Sequence, residues 1–122
     1  MILDSNIVIY AVQPGFDDLN DFILQNEVVV SAITFLEVLG FHRLDALEKT
    51  KLEFFFAGID ILPLEQRIVQ RAIVLRQQRK MSLGDALIAA TALEHDSVLV
   101  TRNIKDFDWI EGLSLHNPID KT

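Results

Sequence analysis

Short continuous apolar runs alternate with longer stretches of helical periodicity along this 122-residue chain, and that alternation constrains the fold more than any other feature. The runs at 1–3, 28–30, 59–62, 98–100 and 113–115 read as buried parallel strands, the last being the weakest. Between them, 65–80 gives the clearest helix: Ile68, Val69, Ala72, Ile73 and Leu75 fall on one side, with Arg67, Arg71 and Gln78 elsewhere. The stretch 84–95 is apolar almost all round and predicts a buried helix packed closely through its alanines. Further helices are expected over 17–25, 35–47 and 48–57. The expected fold is α/β, a sandwich of helices around a five-stranded parallel sheet, in a single domain over 1–122.

Composition narrows the chemistry. There is no cysteine, so disulfides, thiolate metal sites and cysteine nucleophiles are excluded, and any metal must be held by oxygen or imidazole. Asp4 interrupts the apolar amino terminus and no run approaches the length of a membrane span, so a cytoplasmic protein with no membrane partner is expected. The formal charge of −7 runs against a nucleic-acid partner. Setting aside Asp4, Glu37, Asp85 and Asp106 as one metal site still leaves −3, so affinity for a phosphate backbone would have to come from bound metal and local basic patches.

Those four acids are expected at one edge. Ligand sites in open parallel sheets lie beyond the carboxyl ends of the strands, which is where Asp4 follows the first strand and Thr101 and Asn103 follow the fourth, with Asp106 three residues on. Glu37 comes early in the helix leaving the second strand. Asp85 lies in the first turn of the helix that runs back into the fourth. Each has an ordinary structural reading: Asp4 and Ser5 as helix caps, Ser82 with Asp85 as a capping box, Glu37 as a helical surface glutamate, Asp106 as a turn cap. Their joint placement favours function, because gathered like charges repel unless a cation or protons compensate. A donor set of carboxylate and amide oxygens suits Mg²⁺ or Mn²⁺, and phosphodiester cleavage fits such a site.

Four blocks, LDSN at 3–6, SAITFLE at 31–37, GDALIAATA at 84–92 and LVTRNIKDF at 99–107, span nearly the whole chain, and together they resemble PIN-domain nucleases of the VapC toxin type. The resemblance implies a PIN-like three-layer sandwich and a metal-dependent endoribonuclease, the toxin of a toxin–antitoxin pair, acting on RNA and forming homodimers. It carries the catalytic acids over as Asp4, Glu37 and Asp85, with Asp4 and Asp85 on Mg²⁺ or Mn²⁺. The fourth position, usually Asp, is Asn103 here; Asn103 offers a neutral oxygen and Asp106 can supply the missing charge. Ser5, Thr101, Arg102 and Lys105 flank the site as candidate substrate contacts. A small antitoxin protein that places an Arg or Lys near Asp4, Glu37 and Asp85, and covers neighbouring helices such as 35–47, is the implied partner.

Competing readings fit less well. A phosphoacceptor receiver domain would need an Asp after the third strand, where LPL stands at 62–64, and a haloacid-dehalogenase-like phosphatase would need Asp at position 6, which is Asn6. Neither glycine fingerprint for nucleotides occurs. The main alternative is a non-catalytic PIN-like domain that binds RNA or protein. His42, His95 and His116 lack metal-ligand spacing and are given no site role. Arg76, Arg79 and Lys80 suit the carboxyl end of their helix. Of Phe54, Phe55 and Phe56, at least one is expected at the surface, where with Phe41 it would contribute to an apolar interface.

Overall fold

The computed structural model describes residues 1–120, so the last two residues of the expected 1–122 domain lie outside it. Five short strands, β1 (Ile2–Leu3), β2 (Val29–Ser31), β3 (Asp60–Leu62), β4 (Leu99–Val100) and β5 (Leu115–His116), form one parallel sheet in the order β3-β2-β1-β4-β5. The helices are α1 (Ser5–Ala11), α2 (Asp17–Gln25), α3 (Ala32–Leu39), α4 (Ala46–Ala57), α5 (Gln66–Gln78), α6 (Leu83–Glu94) and α7 (Ile104–Phe107). Successive strand residues point to opposite faces, and the two faces build separate cores. Ile2 and Leu99 pack with α5 and α6; Leu3, Val30 and Val100 pack with α1, α2 and α4. The result is the expected three-layer sandwich.

Topology decides where a site can open. The chain steps outward from β1 to β2 and β3, then crosses back through α5 and α6 to place β4 on the other side of β1. The connections leaving β1 and β4 therefore diverge, and a crevice forms beyond their carboxyl ends.

Several elements differ from the sequence reading. The helix expected over 35–47 is two elements. Here α3 begins at Ala32 behind a Ser31 cap and stops at Gly40, whose missing side chain is required because a Cβ there would strike the Leu36 carbonyl. A loop then leads to α4, which starts at Ala46 with Asp45 accepting the Glu48 N–H at 2.8 Å. Glu37 consequently sits in the second turn of its helix rather than at its start. β3, expected to be buried, is an exposed edge strand, which explains how Asp60 is tolerated inside it. β5 starts two residues and ends one residue later than expected and is likewise an edge strand rather than a buried one, and α7, a single short turn, was not expected. In α5 only Ile68, Ala72 and Leu75 are buried; Val69 and Ile73, assigned to the same side, face outward.

α6 is buried as its all-round apolarity predicts: Ala86 to Ala92 are all buried, and the Thr91 hydroxyl is satisfied by donating to the Leu87 carbonyl at 2.7 Å. Phe56 is buried while Phe54 is 85% exposed, so the phenylalanine run does divide between core and surface. Among the described residues no helix is long and apolar enough to cross a membrane.

Candidate active site

Asp4 is the residue on which the crevice is built. Its N–H closes the ladder to the Val100 carbonyl at 2.9 Å, its own carbonyl accepts from Ile7 and Val8 as the first turn of α1 forms, and its side chain accepts the Ser5 N–H at 2.7 Å. The same residue thus ends β1 and caps α1, which fixes its carboxylate at the strand end. The other carboxylate oxygen accepts from the Thr101 hydroxyl at 2.9 Å, across the β1–β4 boundary. Thr101 is fully buried, its backbone N–H is on His116 of β5, and its hydroxyl oxygen also accepts the Asn103 N–H at 3.0 Å. Two donors therefore hold the carboxylate of a residue that is only 5% exposed.

Burial nevertheless dominates its electrostatics. Loss of hydration pushes the Asp4 carboxyl up to about 6; the Thr101 and Ser5 hydrogen bonds pull against this, and the charges of Asp85 and Glu37 add to the rise. Asp85, in the first turn of α6, is also raised, first by partial burial and then by the charge of Asp106, while its bond to Ser82 opposes the shift. The Ser82 hydroxyl in turn accepts the Asp85 N–H at 3.1 Å, which is the expected cap, and the charge of the capped residue still acts on Asp4. Glu37, Asp4, Asp85 and Asp106 thus form a continuous line of mutually repelling charge drawn from four segments.

Glu37 is held differently. It is exposed on α3 and its Oε1 accepts from the Ser5 hydroxyl at 3.1 Å. That hydroxyl also lies 3.2 Å from Thr34 Oγ1, a fully buried group that the sequence reading passed over. The available signal was a hydroxyl standing among Ile33, Phe35 and Leu36, since a polar group in an apolar run needs a partner. On its other side the Glu37 carboxylate rests against Gly84 of α6, a second residue not singled out.

Asn103 precedes α7, is exposed, and makes no side-chain cap bond; Asp106 lies in α7, facing Asp85 electrostatically. Arg102 is already engaged, with Nε 3.2 Å from Asp120 and its guanidinium stacked on Tyr10 at 5.2 Å. Lys105 is exposed on α7. Arg79 lies over Trp109, whose indole N–H donates to the Asp106 carbonyl. Of the histidines, His116 stacks on Phe22, His42 lies against Phe41, and His95 caps α6.

An oxygen-donor site with Asp4 and Asp85 at its centre fits a hard dication by its chemistry. Among the described residues no three His, Asp or Glu side chains are arranged to hold an ion. A magnesium-type site does not require three, since one or two carboxylates with waters and substrate phosphates suffice.

Beside the acids, a groove of about 480 Å³ runs between α1, α3 and α4, lined by Ile9, Val38, Phe41, Leu44 and Leu52, with Glu37 on its wall.

The PIN domain family description matches residues 1–112. The chain is similar to Ribonuclease VapC2 of Rickettsia felis, 29% identical with 95% of this chain and 96% of the relative covered. Among solved structures it is similar to a toxin–antitoxin complex from Klebsiella pneumoniae, at 30% identity, TM-score 0.79 and 98% of each chain. It is also similar to VapBC2 from Rickettsia felis bound to a DNA fragment from their promoter, at 25% identity and TM-score 0.84, covering 95% of this chain and 96% of that one.

Proposed function

The chain belongs to the PIN domain family, and we propose that it is a Mg²⁺- or Mn²⁺-dependent endoribonuclease acting as the toxin of a toxin–antitoxin pair. The observation that carries this reading is the buried Asp4 carboxylate at the β1 end, held by Thr101 and Ser5 yet raised by burial and by the charges of Asp85 and Glu37. Burial of this charge costs more than its hydrogen bonds return, so its presence calls for a cation partner. The likeness to a ribonuclease over nearly the full length supports RNA as the substrate.

Asp4 and Asp85 would hold the metal. The chemistry it would supply is activation of water and stabilisation of charge on the scissile phosphate. Thr101 keeps one Asp4 oxygen oriented, Ser5 links Asp4 to Glu37, and Glu37 would orient or deprotonate a water. Asp106 adds the negative charge that Asn103 lacks. Exposed Lys105 is free to meet RNA phosphate, whereas Arg102 would first have to leave Asp120.

The partner reading follows from the groove. An antitoxin segment would lay apolar residues along Val38, Phe41, Leu44 and Leu52, and present an Arg or Lys to Glu37 and the acids behind it. The likeness to toxin–antitoxin complexes supports such a partner. A homodimer is proposed through the exposed apolar face of Val69, Ile73 and Leu83.

The alternative, a PIN domain that binds RNA or protein without cutting it, draws on Asn103 and on the absence, among the described residues, of a ready three-ligand metal group. One experiment separates them. The purified protein should cleave RNA with Mg²⁺ or Mn²⁺, and Asp85→Asn should lower the rate by about a hundredfold or more, the equivalent of several kcal/mol of lost transition-state stabilisation. Undiminished cleavage in excess chelator would sink the metal reading; a folded wild type that binds RNA but leaves it intact would establish the alternative.

A further inference from the structure

Gly84 occupies the first turn of α6, where glycine weakens a helix relative to alanine. Its backbone does not require glycine, for the positive-φ glycines are Gly15 and Gly112. Space does require it. A Cβ at position 84 would lie 2.9 Å from both Cδ and Oε1 of Glu37, and closer still to Oε2. Glu37 is an exposed glutamate on a different helix, a side chain that would ordinarily sample many rotamers. Here it is confined between the Ser5 hydroxyl on one side and the bare Gly84 Cα on the other.

We propose that Gly84 is a positioning residue, whose missing side chain forms the berth that fixes the Glu37 carboxylate on the Ser5 hydroxyl, within reach of the Asp4 charge. The assignment of a catalytic consequence rests on the nuclease reading, while the berth itself rests on the α3–α6 geometry. Since the group that a Cβ would strike is the tip of a flexible side chain and no backbone, an alanine is accommodated by moving the carboxylate. The helix survives and the site loses its register. Misplacement of a reacting group by an ångström is enough to cost catalysis heavily even when folding is untouched.

The test is a cycle of Gly84→Ala, Glu37→Ala and the double variant, with unfolding temperature, kcat and KM for RNA cleavage in Mg²⁺, and a crystal structure of Gly84→Ala. Gly84→Ala is expected to unfold at the same or a higher temperature than wild type, to lose about tenfold or more in kcat with KM unchanged, and to show Glu37 displaced from Ser5. Added to Glu37→Ala, it should cost no further activity, because the group it acts through is gone. The proposal is overturned if Gly84→Ala leaves kcat unchanged, or if it lowers kcat by the same factor in both backgrounds. It is overturned equally if the variant fails to fold with and without the Glu37 side chain, since the Cβ would then obstruct something else. Should wild type cleave no RNA, the nuclease reading fails by itself. The crystal structure then decides the berth: a displaced Glu37 carboxylate supports it, and one still 3.1 Å from Ser5 refutes it.

Discussion

Asp4 and Glu37 bring the same charge to the same sheet edge, and the protein holds them in opposite ways. Asp4 grows from a strand end, has lost nearly all its water, and is gripped by a buried hydroxyl and a backbone N–H. Glu37 reaches in from the outer side of a helix, keeps its contact with solvent, and is confined by one hydroxyl and by an empty space at Gly84. The strand-end half of the site therefore stores electrostatic cost, whereas the helix half stores mainly geometry. Under the proposed function, changes to the first should be visible in stability as well as activity, and changes to the second in activity with little effect on folding.

The largest stability effect is expected from Asp4→Asn. The folded Asp4 carboxyl is raised from 3.8 to about 6, so between those values the folded state binds more protons than the unfolded one. Stability falls as pH rises through that window and is flat above it, and a rise of about two units corresponds to about 3 kcal/mol. Asp4→Asn removes that dependence. The variant should be more stable than wild type at pH 7.5 by up to about 3 kcal/mol, and the advantage should vanish near pH 4, as urea unfolding at both pH values would show. Under the proposed function, added Mg²⁺ or Mn²⁺ should narrow the gap at pH 7.5 by stabilising wild type alone. A variant less stable than wild type at pH 7.5 without metal would break the contrast between the two halves.

Thr101→Val comes next. It keeps the shape of the strand end but leaves a buried Asp4 oxygen and the Asn103 N–H without their partner, at a cost of about 1–3 kcal/mol in unfolding free energy. An unchanged urea midpoint would mean that water replaces the hydroxyl and that this half is less closed than its geometry indicates. The smallest effect belongs to Glu37→Gln, which should shift stability by no more than about 0.5 kcal/mol, as befits an exposed position. Under the proposed function it should still abolish most RNA cleavage. A large destabilisation would show that Glu37 supports the fold rather than the chemistry.

Much of this site was legible from the sequence because strand ends and helix starts are local events. Asp4 after an apolar run, Ser82 three residues ahead of Asp85, and Thr101 after the fourth run each mark a boundary, and in a parallel sheet those boundaries share one edge. Continuous apolarity likewise showed α6 to be buried. The errors arose where periodicity carried no information about a neighbour. Val69 and Ile73 lie on a helical side that looks core-facing, yet α6 covers only the stripe through Ile68, Ala72 and Leu75. The run at 59–62 looked buried, but it received an edge position and one pairing partner.

The sequence by itself determined the α/β class, the single sheet, and the set of acids at its carboxyl edge, because each depends on residue order and local preference. Only the tertiary structure decided that β4 returns beside β1, so that Thr101 meets Asp4 across 97 residues of chain. The same holds for α3 and α6 approaching closely enough for Glu37 to lie on Gly84. Such contacts depend on how two separately formed elements pack. No local pattern encodes the distance between them; it is set by the summed volumes of the side chains in the core that holds them apart.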